Sequence, residues 1–377
     1  MTSLLTCIFI IFIVGMFYRK RKKVKKRKHP KHILRQRLKS DFPKPFPNSW
    51  YFVCLSSDIK VKTVKQFVAF GRTMVVFRNE NGNVGILNDA CTHLGTSLSN
   101  GGWVEGHTIV CPYHEWKFGK DGHCYDIPYC TRDIPERANT KKYHVIEKSG
   151  MIFVWYDADE REPQSGIQIL DDIKKHYTYI RKTKVDDYHM HIMEPSQNSA
   201  DWYHFKTVHG YLANPFYKKL LQINHKIDVK YTNKIEITET ITKMKLLHIF
   251  RLPRCFHCLF KTEVIIESPS LVLFRVSNRF MGEFRTYLFL TPTEPFRQSV
   301  LFLSWGTCLF RLFGRIFQYL VVHTVEQDRK VWENKMHVSP RNLVSGDGPF
   351  AGYHKWLGTF YSDQSVSSQS FFHTNDW

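Results

Sequence analysis

The rhythm of apolar and polar positions changes several times along the chain. Met1 to Tyr18 (MTSLLTCIFIIFIVGMFY) carries no charge, and Arg19 opens a run dense in Lys and Arg. As a helix rising about 1.5 Å per residue, that apolar stretch spans about 27 Å, which matches the roughly 27 Å hydrocarbon core of an endoplasmic-reticulum bilayer. Pro43, Pro45 and Pro47 then space out a segment that cannot be helical. From Trp50 the apolar runs shorten to strand length. VVFRNENGNVGIL sets Asn81-Gly82 between two such runs, a hairpin signal, and HTIVCPY and GMIFVWY read as further strands. REPQSG (161–166) reads as a hinge. Beyond it, IEITETIT and LVLFRVSNRF alternate with period two, and HTVEQDRKVWENKMH (323–337) reads as a helix. The run 304–322, interrupted by Arg311 and Arg315, reads as an amphipathic or membrane-contacting element and not as a span. The predicted layout is a transmembrane anchor over 1–18, a polybasic and Pro-rich linker over 19–47, an all-β domain over 48–158 and an α+β domain over 159–377.

Charge refines the anchor. The chain has 54 Lys+Arg against 34 Asp+Glu, a formal +20. Thirteen of the basic residues fall between Arg19 and Lys39, so the remainder carries only +7. A nucleic-acid partner is therefore not indicated. A cleaved signal peptide has its positive charge before the apolar run, and here the order is reversed. The positive-inside rule keeps the basic flank, and with it the bulk of the chain, on the cytoplasmic side of a single-pass anchor. The same tract can rest on anionic lipid headgroups, at about 1 kcal/mol per nearby Lys or Arg. With 43% hydrophobic residues, the chain is neither disordered nor a disulfide-stapled miniprotein.

Nine cysteines, irregularly spaced, make a poor disulfide framework and argue for a reducing compartment or for metal ligation. Cys91-Thr92-His93 is followed, after seventeen intervening residues, by Cys111-Pro112-Tyr113-His114. Zinc in a Cys2His2 site is one candidate for such a set. The alternating order of Cys and His suits a [2Fe–2S] cluster, with thiolates on one iron and imidazoles on the other. Neutral imidazoles raise the potential of such a cluster to about −150 to +300 mV, against roughly −400 mV for an all-thiolate one.

A second constellation starts at Asn198 and contains Asp201, His204, His209 and Gly210. Residues five apart lie about 140° around an ideal helix. His204 and His209 reach one metal only if the helix is distorted or ends between them, and Gly210 is a natural terminator. Two imidazoles and one carboxylate form the facial triad of non-haem Fe(II) oxygenases. Glu326 and Asp328 on the later helix are the available carboxylates. GDGPFAG (346–352) follows no strand and lacks dinucleotide-binding spacing, so electrons must come from a separate NAD(P)H-dependent reductase. Cys255-Phe-His-Cys258 has no matching second pair and reads as ordinary cysteines. His189 and His191 flank Met190 on an apparent strand, on one face.

The stretch CTHLGTSLSNGGWVEGHTIVCPYHEWKFGKDGHC resembles the Rieske family, including the positions of Gly95, Gly101, Gly102, Trp116 and Gly122. The resemblance implies Cys91 and Cys111 on one iron of the cluster and His93 and His114 on the other. Thr96 and Tyr113 stand where respiratory Rieske proteins carry a bracing disulfide, which is similar to the oxygenase branch. Cys124 and Cys130 are then expected as free thiols. The Asn198, Asp201, His204, His209 stretch resembles the motif of Rieske non-haem iron oxygenases, although many relatives have Glu-Asn where this chain has Gln197-Asn198. That likeness implies His204, His209 and Asp328 on a mononuclear Fe(II), with Glu326 as the runner-up for the third ligand. It implies that Asp201 bridges to a cluster histidine, in a homotrimer where one subunit's cluster faces its neighbour's iron.

From anchor to VEQDRKVWENK and GDGPFAGYHKWLGTFYSD, the chain resembles the Neverland-type cholesterol 7-desaturases, and its catalytic part is also similar to 3-ketosteroid 9α-hydroxylases. The resemblance implies an α+β, helix-grip-like catalytic domain. It also implies an O2- and NAD(P)H-dependent 7,8-dehydrogenation of cholesterol to 7-dehydrocholesterol, feeding steroid hormone synthesis. The rivals are a Rieske monooxygenase hydroxylating another sterol or membrane lipid, a tethered Rieske electron carrier, and a catalytically dead binding module.

Overall fold

The computed structural model describes residues 31–163, 166–171, 173, 177–201, 203–209, 230–237, 242–251, 257–307, 309–339, 341–344 and 347–374. The expected anchor over 1–18, the basic tract up to residue 30, Gly210 and Cys255 lie outside the described residues. Among the described residues no helix is long and apolar enough to cross a membrane.

Lys31–Leu38 forms a helix, α1, inside the segment expected to be plain linker. Eight residues are too few to hold a helix in water unaided, and long-range contacts described below hold this one. From Ser49 to Tyr156 every described element is a strand or a single 3-10 turn. β1 is Ser49–Leu55; β2 (Val64–Ala69), β3 (Arg72–Arg78) and β4 (Val84–Asn88) form a meander; β5 (Trp103–Glu105), β6 (Thr108–Val110), β7 (Lys117–Gly119) and β8 (Cys124–Asp126) form a second. β9 (Val145–Lys148) and β10 (Met151–Tyr156) return the chain to β1, giving the order β1-β10-β9. The expected hairpin is β3–β4, with Arg78 opposite Val84 and Gly82 at φ +80°. Asn79 Oδ1 accepts the amide of Asn83 at 2.9 Å and ties the turn.

The second part is a sheet with helices packed against it. β11 (Thr178–Tyr188) is followed by the short helices α2 (Met193–Gln197) and α3 (Tyr203–Thr207). Then come β12 (Lys230–Ile237), β13 (Thr242–Arg251), β14 (His257–Ser268), β15 (Leu271–Asn278), β16 (Gly282–Glu294) and β17 (Arg297–Gly306). These strands form an antiparallel sheet in the order β11-β17-β16-β15-β14-β13-β12. α4 (Phe310–Trp332) lies across β11, β16 and β17, and α5 (Phe350–Gly358) and α6 (Ser368–Thr374) close the chain.

The boundaries of α4 correct the sequence reading. The run 304–322 is amphipathic where it is helical, as expected, but it is not one element. Its first residues end β17 and the rest is the first half of one 23-residue helix, which stops at Trp332 and not at 337. Phe310, Gly314, Gln318, Val322 and Val325 recur at helical spacing on its buried face. Gly314 lets the helix sit directly on β11, since a Cβ there would come within 2.2 Å of Ile180 Cδ1. A second correction concerns His189 and His191. β11 ends at Tyr188, so the two histidines lie in the following loop and share no strand face.

The two parts share a core. One buried cluster contains Tyr51, Ile152 and Val154 of the first part with Ile266, Leu288 and Phe302 of the sheet and Val322, Val325 and Trp332 of α4. Ser270 Oγ donates to Trp50 O at 2.8 Å and Thr291 Oγ1 to Phe52 O at 3.2 Å, so polar groups along the seam are paired as well. The expected hinge segment thus connects two parts that are packed on each other.

Candidate functional site

Two loops of one design carry the first ligand set. The Cys91 amide donates to Thr96 O at 2.8 Å while Gly95 N donates back to Cys91 O at 2.9 Å. The Cys111 amide donates to Trp116 O at 2.9 Å while Glu115 N donates back to Cys111 O at 3.1 Å. The fourth residue after each cysteine must take a left-handed conformation: Gly95 has φ +78° and Glu115 has φ +58°. Gly102 allows the first loop to close against β6, because a Cβ there would lie 2.2 Å from Leu98 O and 2.9 Å from Val110 O. Both cysteines are buried in the cluster of Val75, Phe77, Leu98, Ile109 and Phe118, and both are free, as are Cys124 and Cys130.

The loops bring His93 Nδ1 within 3.2 Å of His114 Nδ1. Two nitrogens on one tetrahedral metal, with bonds of about 2.1 Å, stand roughly 3.4 Å apart, so the pair fits a shared ion. His93 stacks on Trp116, ring centroids 4.7 Å apart and planes 6° from parallel, and the Trp116 indole donates to Tyr129 Oη at 2.8 Å. Burial, with the neighbouring Cys111 thiol adding to it, pushes the Cys91 thiol up to about 12. A metal cation is what converts such a pair to thiolates. The donor set fits a [2Fe–2S] cluster.

The second set is assembled by α3 and α4. The convergence is tight: one ligand atom each from His204, His209 and Asp328 lie within 4.8 Å of one another. α3 ends at Thr207, between the two histidines, which removes the 140° problem that a continuous helix would pose. The rings meet edge to face with centroids 5.2 Å apart. His209 Nδ1 faces Gln327 Oε1 at 3.1 Å, and His204 Nδ1 faces the carbonyl of Asp201. An acceptor at each Nδ1 places the proton there and leaves each Nε2 as the lone-pair donor. His209 Nε2 lies 3.1 Å from Asp328 Oδ1, and both residues are buried. Two imidazoles and one carboxylate, partly shielded from water, are a donor set that fits a divalent iron.

Asp201 stands at the start of α3, its Oδ1 accepting the His204 amide at 3.3 Å. Burial raises its pKa, but hydrogen bonding with His204, with Lys335 beyond, outweighs burial and holds it below the ordinary carboxylate range. Asn198 sits one 3-10 turn earlier, and its carbonyl accepts the Asp201 amide at 3.2 Å. Glu326, the runner-up, is engaged elsewhere: Tyr188 Oη donates to it at 2.5 Å and Arg329 lies 3.9 Å away.

Sequence reasoning passed over Gln327, although it lies between the two candidate carboxylates. It also passed over a polar seam joining the two segments that carry the ligands. Arg329 donates to Asp187 O at 2.7 Å and to Glu333 at 2.6 Å, and Lys335 Nζ reaches buried Glu194 and Gln197, each at 2.7 Å. Gln197, at the position where the resemblance leads one to expect Glu, is thus held by Lys335 on one side and by His354 Nε2 at 3.2 Å on the other.

Residues 49–145 match the Rieske [2Fe-2S] domain family. Over 340 residues the chain is 30% identical to the cholesterol 7-desaturase of Drosophila melanogaster, covering 86% of this chain and 77% of that protein. It is 25% identical over 337 residues to the oxygenase component of the 3-ketosteroid-9-alpha-monooxygenase of Mycobacterium tuberculosis, covering 85% and 83% of the two chains. The fold is similar to that of dicamba monooxygenase bound to dicamba, with a TM-score of 0.63 at 15% identity, over 84% of this chain and 98% of that one.

Proposed function

The chain belongs to the family of Rieske oxidoreductases that includes the cholesterol 7-desaturases, and we propose that it removes two hydrogens across C7–C8 of cholesterol to give 7-dehydrocholesterol. In the balanced reaction, the two substrate hydrogens, the two electrons and proton that NAD(P)H releases, and one proton from solution reduce one O2 to two waters. A separate reductase delivers the NAD(P)H electrons. The observation that carries the reading is the presence, in one chain, of two Cys-His loops and of a separate His204, His209, Asp328 convergence. A tethered electron carrier has no use for the second.

Cys91, Cys111, His93 and His114 would hold the cluster, and His204, His209 and Asp328 the mononuclear iron. The metals supply electron storage and the activation of O2. The protein's part is positional. Gln327 and the Asp201 carbonyl hold the Nδ1 side of the two histidines, so both rings stay aimed with Nε2 toward the ligand cluster. Asp328 contributes the carboxylate of the ligand set and is itself buried. The tight seam from Tyr188 to Lys335 keeps the two ligand-bearing segments from separating. Asp201, held ionised beside His204, is the group through which a neighbouring cluster histidine would be engaged in a homotrimer.

The uncharged stretch over 1–18 and the basic residues after it support a single-pass anchor, with the catalytic part on the cytoplasmic side of the endoplasmic reticulum. An anchored enzyme meets a sterol dissolved in the same bilayer, in keeping with a place in steroid hormone synthesis. Full-length protein in detergent, given cholesterol, a ferredoxin-type reductase and NADPH, should yield a product two hydrogen atoms lighter by mass spectrometry. A product one oxygen atom heavier would assign hydroxylation instead, and oxidation of NADPH without any sterol product would leave an electron carrier.

A further inference from the structure

We infer that Arg37, from the amino-terminal helix α1, is a positioning residue for the mononuclear iron site, clamping together the two chain segments that bring its ligands. The inference rests on the iron-site reading above. Its basis is a single guanidinium with three carbonyl partners. Nη1 donates to His189 O at 2.7 Å, Nη2 to Trp332 O at 2.5 Å and Nε to Lys335 O at 3.2 Å. Arg37 is 1% exposed and also lies over the Phe296 ring, 5.5 Å from its centroid.

Those carbonyls belong to the two halves of the site. His189 lies in the loop that leads through α2 to Asn198, Asp201 and His204. Trp332 is the last residue of α4, one turn beyond Asp328, about 6 Å along the helix axis at 1.5 Å per residue. The carbonyls at a helix carboxyl end lack intrahelical partners and carry the negative end of the helix dipole. A buried cation there satisfies both needs. Its planar fork also fixes a relative angle between segments that a point charge would leave loose.

Other groups on the seam act in the same sense. Lys335 joins Glu194 and Gln197, and the His189 amide donates to Glu333 Oε1 at 3.2 Å. What sets Arg37 apart is its origin. It belongs to neither segment, but to a helix that follows directly in sequence on the basic tract. The amino-terminal segment is thereby tied to both segments that carry His204, His209 and Asp328.

The test uses full-length protein in detergent, anaerobic, with Fe(II) as the probe in equilibrium dialysis and the visible absorption of the cluster as the measure of intact fold. Arg37→Met should keep the cluster absorption and bind the additional Fe(II) about tenfold more weakly or worse. Arg37→Lys should fall between it and the unaltered protein. Lys44→Met is the control, because Lys44 ties the same amino-terminal segment to Ser362 O at 2.6 Å without touching the seam. It should bind Fe(II) as the unaltered protein does. Unchanged affinity in Arg37→Met overturns the inference, and so does an equal loss in Lys44→Met, which would mark general loosening. If Arg37→Met does not accumulate with its cluster, Arg37→Lys decides, and unchanged affinity there overturns the inference. An unaltered protein that holds its cluster but binds no further Fe(II) overturns the iron-site reading itself, a different result from any of these.

Discussion

Tyr188 Oη donates a 2.5 Å hydrogen bond to the carboxylate of Glu326, two residues before Asp328 on α4. The two carboxylates are about 200° apart around the helix at roughly 100° per residue, so they face opposite ways. Tyr188 and the nearby Arg329 guanidinium, itself 4.3 Å over the Tyr188 ring, hold Glu326 to the seam. Asp328 is left to converge with His204 and His209. Asp328→Asn should therefore lose the mononuclear iron and sterol turnover while the cluster irons remain. Glu326→Gln should keep all the iron and lose stability instead, on the order of 0.5–1.5 kcal/mol for a weakened, part-buried hydrogen bond. Iron per chain, measured with the visible absorption of the cluster, separates the two, and loss of the third iron in Glu326→Gln alone would reverse the assignment.

The cluster loops carry their own asymmetry. Gly95 and Glu115 occupy equivalent places, and only the glycine takes its left-handed backbone without strain. Glu115 is exposed, so replacing it removes little packing. Glu115→Gly should stabilise the protein by up to about 1 kcal/mol, the order of the left-handed penalty, less the added freedom of the unfolded chain. Gly102→Ala should do the reverse. Its Cβ would meet two backbone carbonyls that cannot move aside independently, and the chain should accumulate without cluster absorption. A cluster retained at normal yield in Gly102→Ala would contradict the closeness of that approach.

The features readable in advance were those with local signals. The Cys-His loops, the Asn81-Gly82 hairpin and the His204, His209 pair announce themselves within a few residues. Arg37 does not. It is one of thirteen basic residues between Arg19 and Lys39, and its burial depends on carbonyls at 189, 332 and 335 that no local pattern connects to it. The start of α4 was hidden for a related reason. The helix buries Phe310, Gly314 and Gln318 against the sheet, and a glycine and a glutamine at core positions weaken the apolar period, while Arg311 and Arg315 fall on the exposed side. Gln318 is buried because its amide donates to Arg181 O at 3.1 Å, a partner on β11. Asp328 could be named but not separated from Glu326, since the choice turns on the position of Tyr188.

Acid should find a weak point at His191. The ring is fully buried in the loop after β11, Nε2 facing Pro43 O at 3.0 Å and Nδ1 accepting the Met193 amide at 3.2 Å. Both nitrogens are matched to the neutral form with its proton on Nε2. Burial lowers the pKa to about 3, with the charges of His337 and Arg37 adding to it against the raising effect of Pro43. In the unfolded chain the value is about 6.5. Below that pH the unfolded state takes up a proton that the folded state refuses, so stability falls as the pH drops from about 6.5 toward 3, by at most ~1.4 kcal/mol per unit. His191→Asn keeps an acceptor for Met193 but does not titrate. It should be less stable at pH ~7.5, because the ring's packing on Phe42 and Phe296 is lost. Between about pH 7 and pH 5, however, it should lose about 2 kcal/mol less than the unaltered protein, read as a smaller drop in melting temperature across a pH series. His354, also lowered, to about 4, is present in both proteins and cancels in that difference. Equal acid sensitivity of the two would mean that the imidazole of His191 does not stay neutral in the folded chain.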